Sequence, residues 1–442
     1  MNLEQLKAAL REAGVVGAGG AGFPTYAKLS DKADTLILNC AECEPLLRLH
    51  RQVLKLYTYE ILSTLYEISK LTGIKDVIIG IKASYKETVD AINGQISFFE
   101  NMKVCTLPEV YPAGDEFVLT YEATGRVVPA GQIPLSVGVT VLNVETVYNI
   151  YKAMNNEPVT HKYVTVIGEV KTPITVLAPI GTPLENLIKM AGGITISDPA
   201  YIIGGPMMGT LGSPSQPVTK TTNAVIVLPK TLPLVQRKQT KVSVDIRRAM
   251  SACCQCNYCT SLCPRHLLGH PIDPSALMNA AAHSVTSDTS PYLNAAFCSG
   301  CGLCEAYSCN QNLSPRALLS ATKASLRKNG IKPPEHPNMR DVDEARELRM
   351  IPISRLRARL GLDPYNKSAP ITEENVPVKR LVIALSQHIG APAKAVVKKG
   401  DKVTANQLIA EPQENALSVG IHAPLNGTVL AVNDKHIIIS VG

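Results

Sequence analysis

The spacing of apolar positions changes several times along this chain, and each change marks a different kind of element. The opening MNLEQLKAALREAG sets Leu3, Leu6 and Leu10 three and four residues apart among Glu4, Lys7, Arg11 and Glu12. That period predicts an amphipathic helix, with charges that rule out a secretory leader. Directly after it, GVVGAGGAGFPTYAKL (14–29) crowds five glycines into nine positions, and a second helical stretch is expected from Thr25. The apolar run in LILNCAECEPLL (36–47) reads as a strand entering Asn39, followed by Glu42, Glu44 and Pro45. Residues 163–211 alternate apolar strands with Gly/Pro turns and one short helix, and 264–297, with ALMNAAAHS, reads helical. The stretch 327–375 is rich in charge and proline, an extended linker with one helix over 341–361; beyond it, 376–442 breaks into short β-runs. No apolar run approaches the roughly 18 residues a membrane span requires.

Composition turns this pattern into a modular protein. A chain of 442 residues divides into about three or four folding units. With 45% hydrophobic and 18% charged residues it is globular. Tryptophan is absent and aromatics make up only 5%, which argues against stacking platforms for single-stranded nucleic acid. A net charge of +7, spread along the sequence, does not make a duplex-binding surface. Such a mild positive field would suit anionic cofactors such as flavin phosphate, nicotinamide dinucleotides or corrinoids, and equally belongs to an ordinary soluble surface.

Eight of the twelve cysteines fall into two tight groups. Cys253, Cys256, Cys259 and Cys263, followed by Pro264, have the C-x2-C-x2-C-x3-C-P spacing by which thiolates hold a [4Fe–4S] cubane; Cys298, Cys301, Cys304 and Cys309 repeat it with one extra residue. Three thiolates come from one loop and the fourth from the other motif. Cys253, Cys256 and Cys259 are therefore expected with Cys309, and Cys298, Cys301 and Cys304 with Cys263, although the longer gap leaves the partner of Cys309 open. The alternative is a pair of zinc sites, but two consecutive triplets oversupply a tetrahedral ion. Cys254 reads as a bystander. His266, His270 and His283 lie near these groups in sequence and read as solvated or core residues.

Glycines at 14, 17, 19, 20 and 22 let backbone N–H groups approach a phosphate or flavin. Alone, such a loop is also an ordinary turn. The combination GxGGAGFPTxxK with NxAECEP, joined by YPAGDEFVLTYEATGR (111–126) and LNVETVYNI (142–150), resembles the flavin- and NADH-binding subunit of respiratory complex I and, more closely, the RnfC component of Rnf-type oxidoreductases. That resemblance implies FMN contacts at Gly17, Gly19, Gly20, Lys28, Asn39, Glu42, Asn143 and Thr146. It further implies nicotinamide dinucleotide contacts at Phe23, Glu44 and Glu116, whose plain alternatives are a core aromatic and solvated or capping carboxylates. Cys40 and Cys43 form a C-x2-C pair that reads as inert thiols.

The segment 163–211 resembles the soluble-ligand-binding β-grasp (SLBB) module of the same family. VKKGDKVTANQLIAE with APLNGTVLAV resembles a lipoyl-type barrel-sandwich hybrid with no modifiable lysine at 411–420, hence a docking module. The whole reads as an α/β multidomain protein: a complex I flavoprotein-like FMN domain (1–155), a β-grasp SLBB module (160–225), a two-cluster ferredoxin-like helical domain (240–326), a linker (327–375) and a C-terminal barrel-sandwich hybrid (376–442). In RnfC proteins the sandwich precedes the glycine loop. Here it follows the clusters, an order that resembles the cobalamin reductases of propanediol-utilisation microcompartments. The resemblance implies an NADH-dependent flavin and iron–sulfur oxidoreductase with FMN and two [4Fe–4S] clusters that reduces cob(II)alamin to cob(I)alamin. Its setting would be cytoplasmic, within a microcompartment, with a cob(I)alamin adenosyltransferase and shell proteins as partners and a homo-oligomer left open. The alternatives are an Rnf-type electron-transport subunit and a non-catalytic electron relay.

Overall fold

A parallel sheet carries the first third of the molecule. In the computed structural model, which describes residues 1–442, its strands stand in the order Met102–Leu107, Asp76–Lys82, Thr35–Cys40, Val139–Asn143, every neighbouring pair parallel. Their apolar runs are near-continuous, as strands covered on both faces require. Helices Leu3–Glu12, Leu49–Leu56, Thr58–Thr72 and Val144–Met154 pack on one face, and helix Glu116–Thr124 covers the other through Leu119. The first strand lies inside the sheet. Two later strands extend it on one side and the last on the other, so the crevice beyond Asn39 and Asn143 is the switch point where such sheets take ligands.

A second, mixed sheet follows. His161–Gly168 pairs antiparallel with Ile174–Pro179 and parallel with Ala224–Pro229, which in turn pairs with Pro199–Ile203; Leu184–Met190 supplies the helix. Helices Val242–Ala252, Pro274–His283 and Pro315–Lys328 then frame the cysteine loops, the last two with proline in the first turn, where no N–H is missed. The C-terminal module is a sandwich. A sheet of Arg380–Ala384, His436–Val441, Gly427–Val432 and Lys402–Val403 faces one of Lys394–Ala395, Leu408–Glu411 and Ile421–His422, with Leu381, Ile383, Ile409, Ile421 and Ile439 between them.

Two expected helices are shorter than the periodicity implied. The stretch from Thr25 is one 3-10 turn, Thr25–Ala27. The single helix expected over 341–361 is broken: Glu347–Arg349 makes one 3-10 turn, Ile351–Pro352 pairs antiparallel with Val110–Tyr111, and only Ile353–Arg359 is α-helical. Pro352 is the cause, since it lacks an N–H and pushes Ile351 towards extended backbone. The same segment adds Ile371–Thr372 to the edge of the second sheet, alongside Thr175–Val176. No helix is long and apolar enough to cross a membrane.

Candidate functional site

The glycine loop closes on itself and lies against the switch point. Gly17 N–H donates to the Phe23 carbonyl at 2.9 Å, and Ala18 N–H donates to Thr146 Oγ1 at 2.9 Å. A Cβ at Gly19 would sit 2.6 Å from Asn143 Nδ2 and force that side chain to shift. Gly22, at φ +73°, is pressed between Thr221 and His388, whereas Gly20 faces open space. Asn143 caps helix Val144–Met154 by accepting from Glu145 N–H at 3.0 Å. Loop amides and a helix N-terminus thus border one crevice, the arrangement that favours a phosphate-bearing cofactor.

Around it stand the other predicted residues. Lys28 Nζ donates to Glu116 Oε1 at 2.6 Å and reaches the Val141 carbonyl at 3.3 Å. Asn39 bridges two loops, donating to the Gly114 carbonyl at 2.9 Å and accepting from Ala41 N–H at 3.1 Å. Phe23 is half-buried beside the loop. The Glu42 carboxylate accepts the His50 and Arg51 N–H groups at 2.8 and 3.2 Å, so it anchors the start of helix Leu49–Leu56. Glu44 reaches across to the second module: its two oxygens accept Met207 and Met208 N–H, each at 2.8 Å, and burial raises its pKa. A side chain at Gly205 would overlap this carboxylate. Burial pushes the Cys43 thiol up to about 12 and raises Cys40 as well, which keeps both protonated.

A polar cleft of about 550 Å³ adjoins the NxAECEP turn, and several of its residues carried no signal in the sequence. Arg48, Arg51, Lys82 and Arg357 line it together with Glu42, Glu44 and Glu109. Arg51 lies 3.6 Å over the Tyr85 ring, and Lys82, wholly buried, donates to the Glu42 carbonyl at 2.9 Å while burial lowers its pKa.

The eight thiols divide into two sets. Cys253, Cys256, Cys259 and Cys309 line one recess, and Cys263, Cys298, Cys301 and Cys304 another. The extra residue before Cys309 is absorbed by a wide π-type turn over Cys304–Ser308. Gly300 N–H donates to Cys298 Sγ and Leu313 N–H to Cys309 Sγ, each at 3.3 Å, as thiolate ligands need. Two consecutive thiol triplets supply more ligands than a tetrahedral zinc ion takes. A four-thiol recess instead fits a multi-atom cluster. Of the nearby histidines, His270 is buried against the Val128 carbonyl, His266 lies 2.8 Å from that of Ile272, and His283 is exposed.

One short loop joins the crevice to the second thiol set. Tyr111 OH donates to the Cys301 carbonyl at 2.6 Å. Asp115, which caps helix Glu116–Thr124, accepts from Arg265 at 2.9 Å, and the Arg265 guanidinium stacks 3.5 Å over Phe117. The loop carries the sequence match YPAGDEF, but its partners lie more than a hundred residues away, which sequence spacing does not reveal.

Comparison with known proteins matches each module. Residues 10–152 match the Nuo51 FMN-binding domain, 163–211 the SLBB domain, 252–314 a 4Fe-4S dicluster domain and 363–440 the RnfC barrel sandwich hybrid domain. The chain is 34% identical to the C component of the ion-translocating oxidoreductase complex of Edwardsiella ictaluri, over 59% of this chain and 32% of that one. Its fold is similar to that of an NAD+-reducing [NiFe]-hydrogenase crystal structure, at a TM-score of 0.50 and 18% identity, covering 76% of this chain and 64% of that one. It is 39% identical to the cobalamin reductase PduS of Salmonella typhimurium, over 99% of this chain and 96% of that one. Against the PduS of Citrobacter freundii the identity is 38%, over 98% and 96%. The thiol spacing and the flavin-type crevice agree with the match to the two PduS chains over nearly their full length, and the chain belongs to the PduS cobalamin reductase family.

Proposed function

We propose that the chain takes hydride from NADH and passes the electrons singly, through one [4Fe–4S] cluster on each thiol set, to a corrinoid, reducing cob(II)alamin to cob(I)alamin. FMN, when bound, supplies the conversion of a two-electron hydride into single electrons. Gly17, Gly19, Gly20, Asn39, Asn143 and Thr146 would hold it in the crevice, with Lys28 offering charge and Glu42 bracing the turn. Phe23, Glu44 and Glu116 border the approach for the dinucleotide, and Arg48, Arg51 and Arg357 in the adjoining cleft provide cations for its phosphates. The observation that carries this reading is the loop 111–117, which bonds to the flavin crevice through Gly114 and Asn39 and, on either side of that contact, to the thiol module through Tyr111 with Cys301 and Asp115 with Arg265. The relatives named cobalamin reductase support the acceptor. A microcompartment setting, with shell proteins and an adenosyltransferase to capture cob(I)alamin, belongs to the same proposal.

Anaerobic stopped-flow mixing of the FMN- and iron-loaded protein with NADH tests it. Flavin bleaching followed by cob(I)alamin formation in the same cuvette is expected. Bleaching without cobalamin reduction would move the acceptor elsewhere, and no bleaching would remove NADH as donor.

A further inference from the structure

The two thiol sets differ in what surrounds them. Cys263, Cys301 and Cys304 are 8%, 9% and 7% exposed, and their set is bonded to the flavin domain through Tyr111 and the Asp115–Arg265 pair. Lys323 Nζ donates to the Cys298 carbonyl at 2.7 Å, and Arg316 lines the same recess. The other set opens outward. The run Cys254–Tyr258 is exposed throughout, Tyr258 at 51%, with Gln255 and Asn257 at positive φ. Its hydrogen bonds stay within the helical module: Cys253 N–H to Ala249, Thr260 N–H to Asn257, Arg248 to the Asn312 carbonyl.

We infer that electrons cross this chain in a fixed order, from the flavin crevice to the Cys263/Cys298/Cys301/Cys304 set and then to the Cys253/Cys256/Cys259/Cys309 set, leaving at the exposed Cys254–Tyr258 loop. Tyr111 and the Asp115–Arg265 pair are positioning residues for the first transfer, since they fix the inner thiol loops against the crevice. This inference rests on the flavin and two-cluster reading given above. The balance is a hydride from NADH and one proton from water in, then two single electrons out, one to each of two corrinoid acceptors, with both protons released.

Rapid-freeze EPR and absorbance on the loaded, anaerobic full chain tests the order. Iron and FMN are counted first; a wild type with no FMN, or with iron for only one cluster, overturns the underlying reading and the order with it. In Cys256→Ser, NADH should still reduce the flavin and the inner cluster at the wild-type rate, with loss of acceptor reduction. In Tyr111→Phe, which keeps the buried ring and removes only the bond to Cys301, the inner cluster's EPR signal should shift and its reduction by flavin should slow, with the outer signal unchanged. Undiminished acceptor reduction in a Cys256→Ser protein that has lost its outer cluster overturns the order alone. So does a Tyr111→Phe change confined to the outer signal.

Discussion

Lys220 Nζ lies 2.7 Å from the carbonyl oxygen of Gly14, and it also donates to Gly420 at 2.8 Å. Those two glycines belong to the flavin and sandwich modules, so one buried lysine of the β-grasp region ties three modules together. Burial lowers its pKa from 10.5 to about 7. The unfolded chain therefore binds the extra proton between those two values, and folded stability rises with pH across that window. Lys220→Met abolishes this slope. Thermal melts from about pH 6.5 to 9.5 should show the variant's Tm, relative to wild type, falling as pH rises; a constant difference would refute the assignment.

Glu44 and the Met207–Met208 turn make a second seam. Glu44→Gln replaces one acceptor by an amide N–H facing a backbone donor, and a cost of about 1–3 kcal/mol is expected. Gly205→Ala puts a methyl where the carboxylate sits. Because both changes break one contact, urea denaturation of the double variant should show less than the sum of the singles.

Lys162 and Glu145 form a buried ion pair between the second sheet and helix Val144–Met154. Lys162→Met leaves the Glu145 carboxylate buried and unpaired, at about 3–5 kcal/mol. Lys162→Met with Glu145→Leu should regain most of that loss in the same calorimetric transition.

At the crevice, Lys28→Met removes the cation that the proposed reading sets against the FMN phosphate. Loss of one charge-assisted bond, about 1.5–3 kcal/mol, corresponds to FMN bound roughly ten- to a hundredfold more weakly. Fluorescence titration of the flavin-free protein reads this directly, and unchanged affinity would place the phosphate elsewhere.

The thiol motifs were legible because each triplet is local: three ligands within seven residues announce themselves by spacing alone. The exchange of Cys263 and Cys309 between the sets follows from the same motif and is what the recesses show; only the extra residue before Cys309 needed the fold, where the turn at Cys304–Ser308 absorbs it. What stayed hidden joins distant segments. Arg265 and Asp115 are 150 residues apart, Glu44 and Met207 163, Lys220 and Gly14 206. Each of these is ordinary among its own neighbours. The charged residues of 341–361 keep a helical period across Pro352, where the backbone is recruited into a strand pair instead.

That strand pair governs how the protein can be cut and built. Beyond the cysteine module, Ile351–Pro352 pairs with Val110–Tyr111 and Ile371–Thr372 joins the edge of the second sheet, partners made more than a hundred residues earlier. Ile351 and Leu356 of that returning segment pack in one apolar cluster with Cys301, Leu303 and Ala306, so the strap over the inner thiol loop follows all eight ligands in the chain. A gene fragment ending after the last cysteine would encode every ligand and still lack the strap.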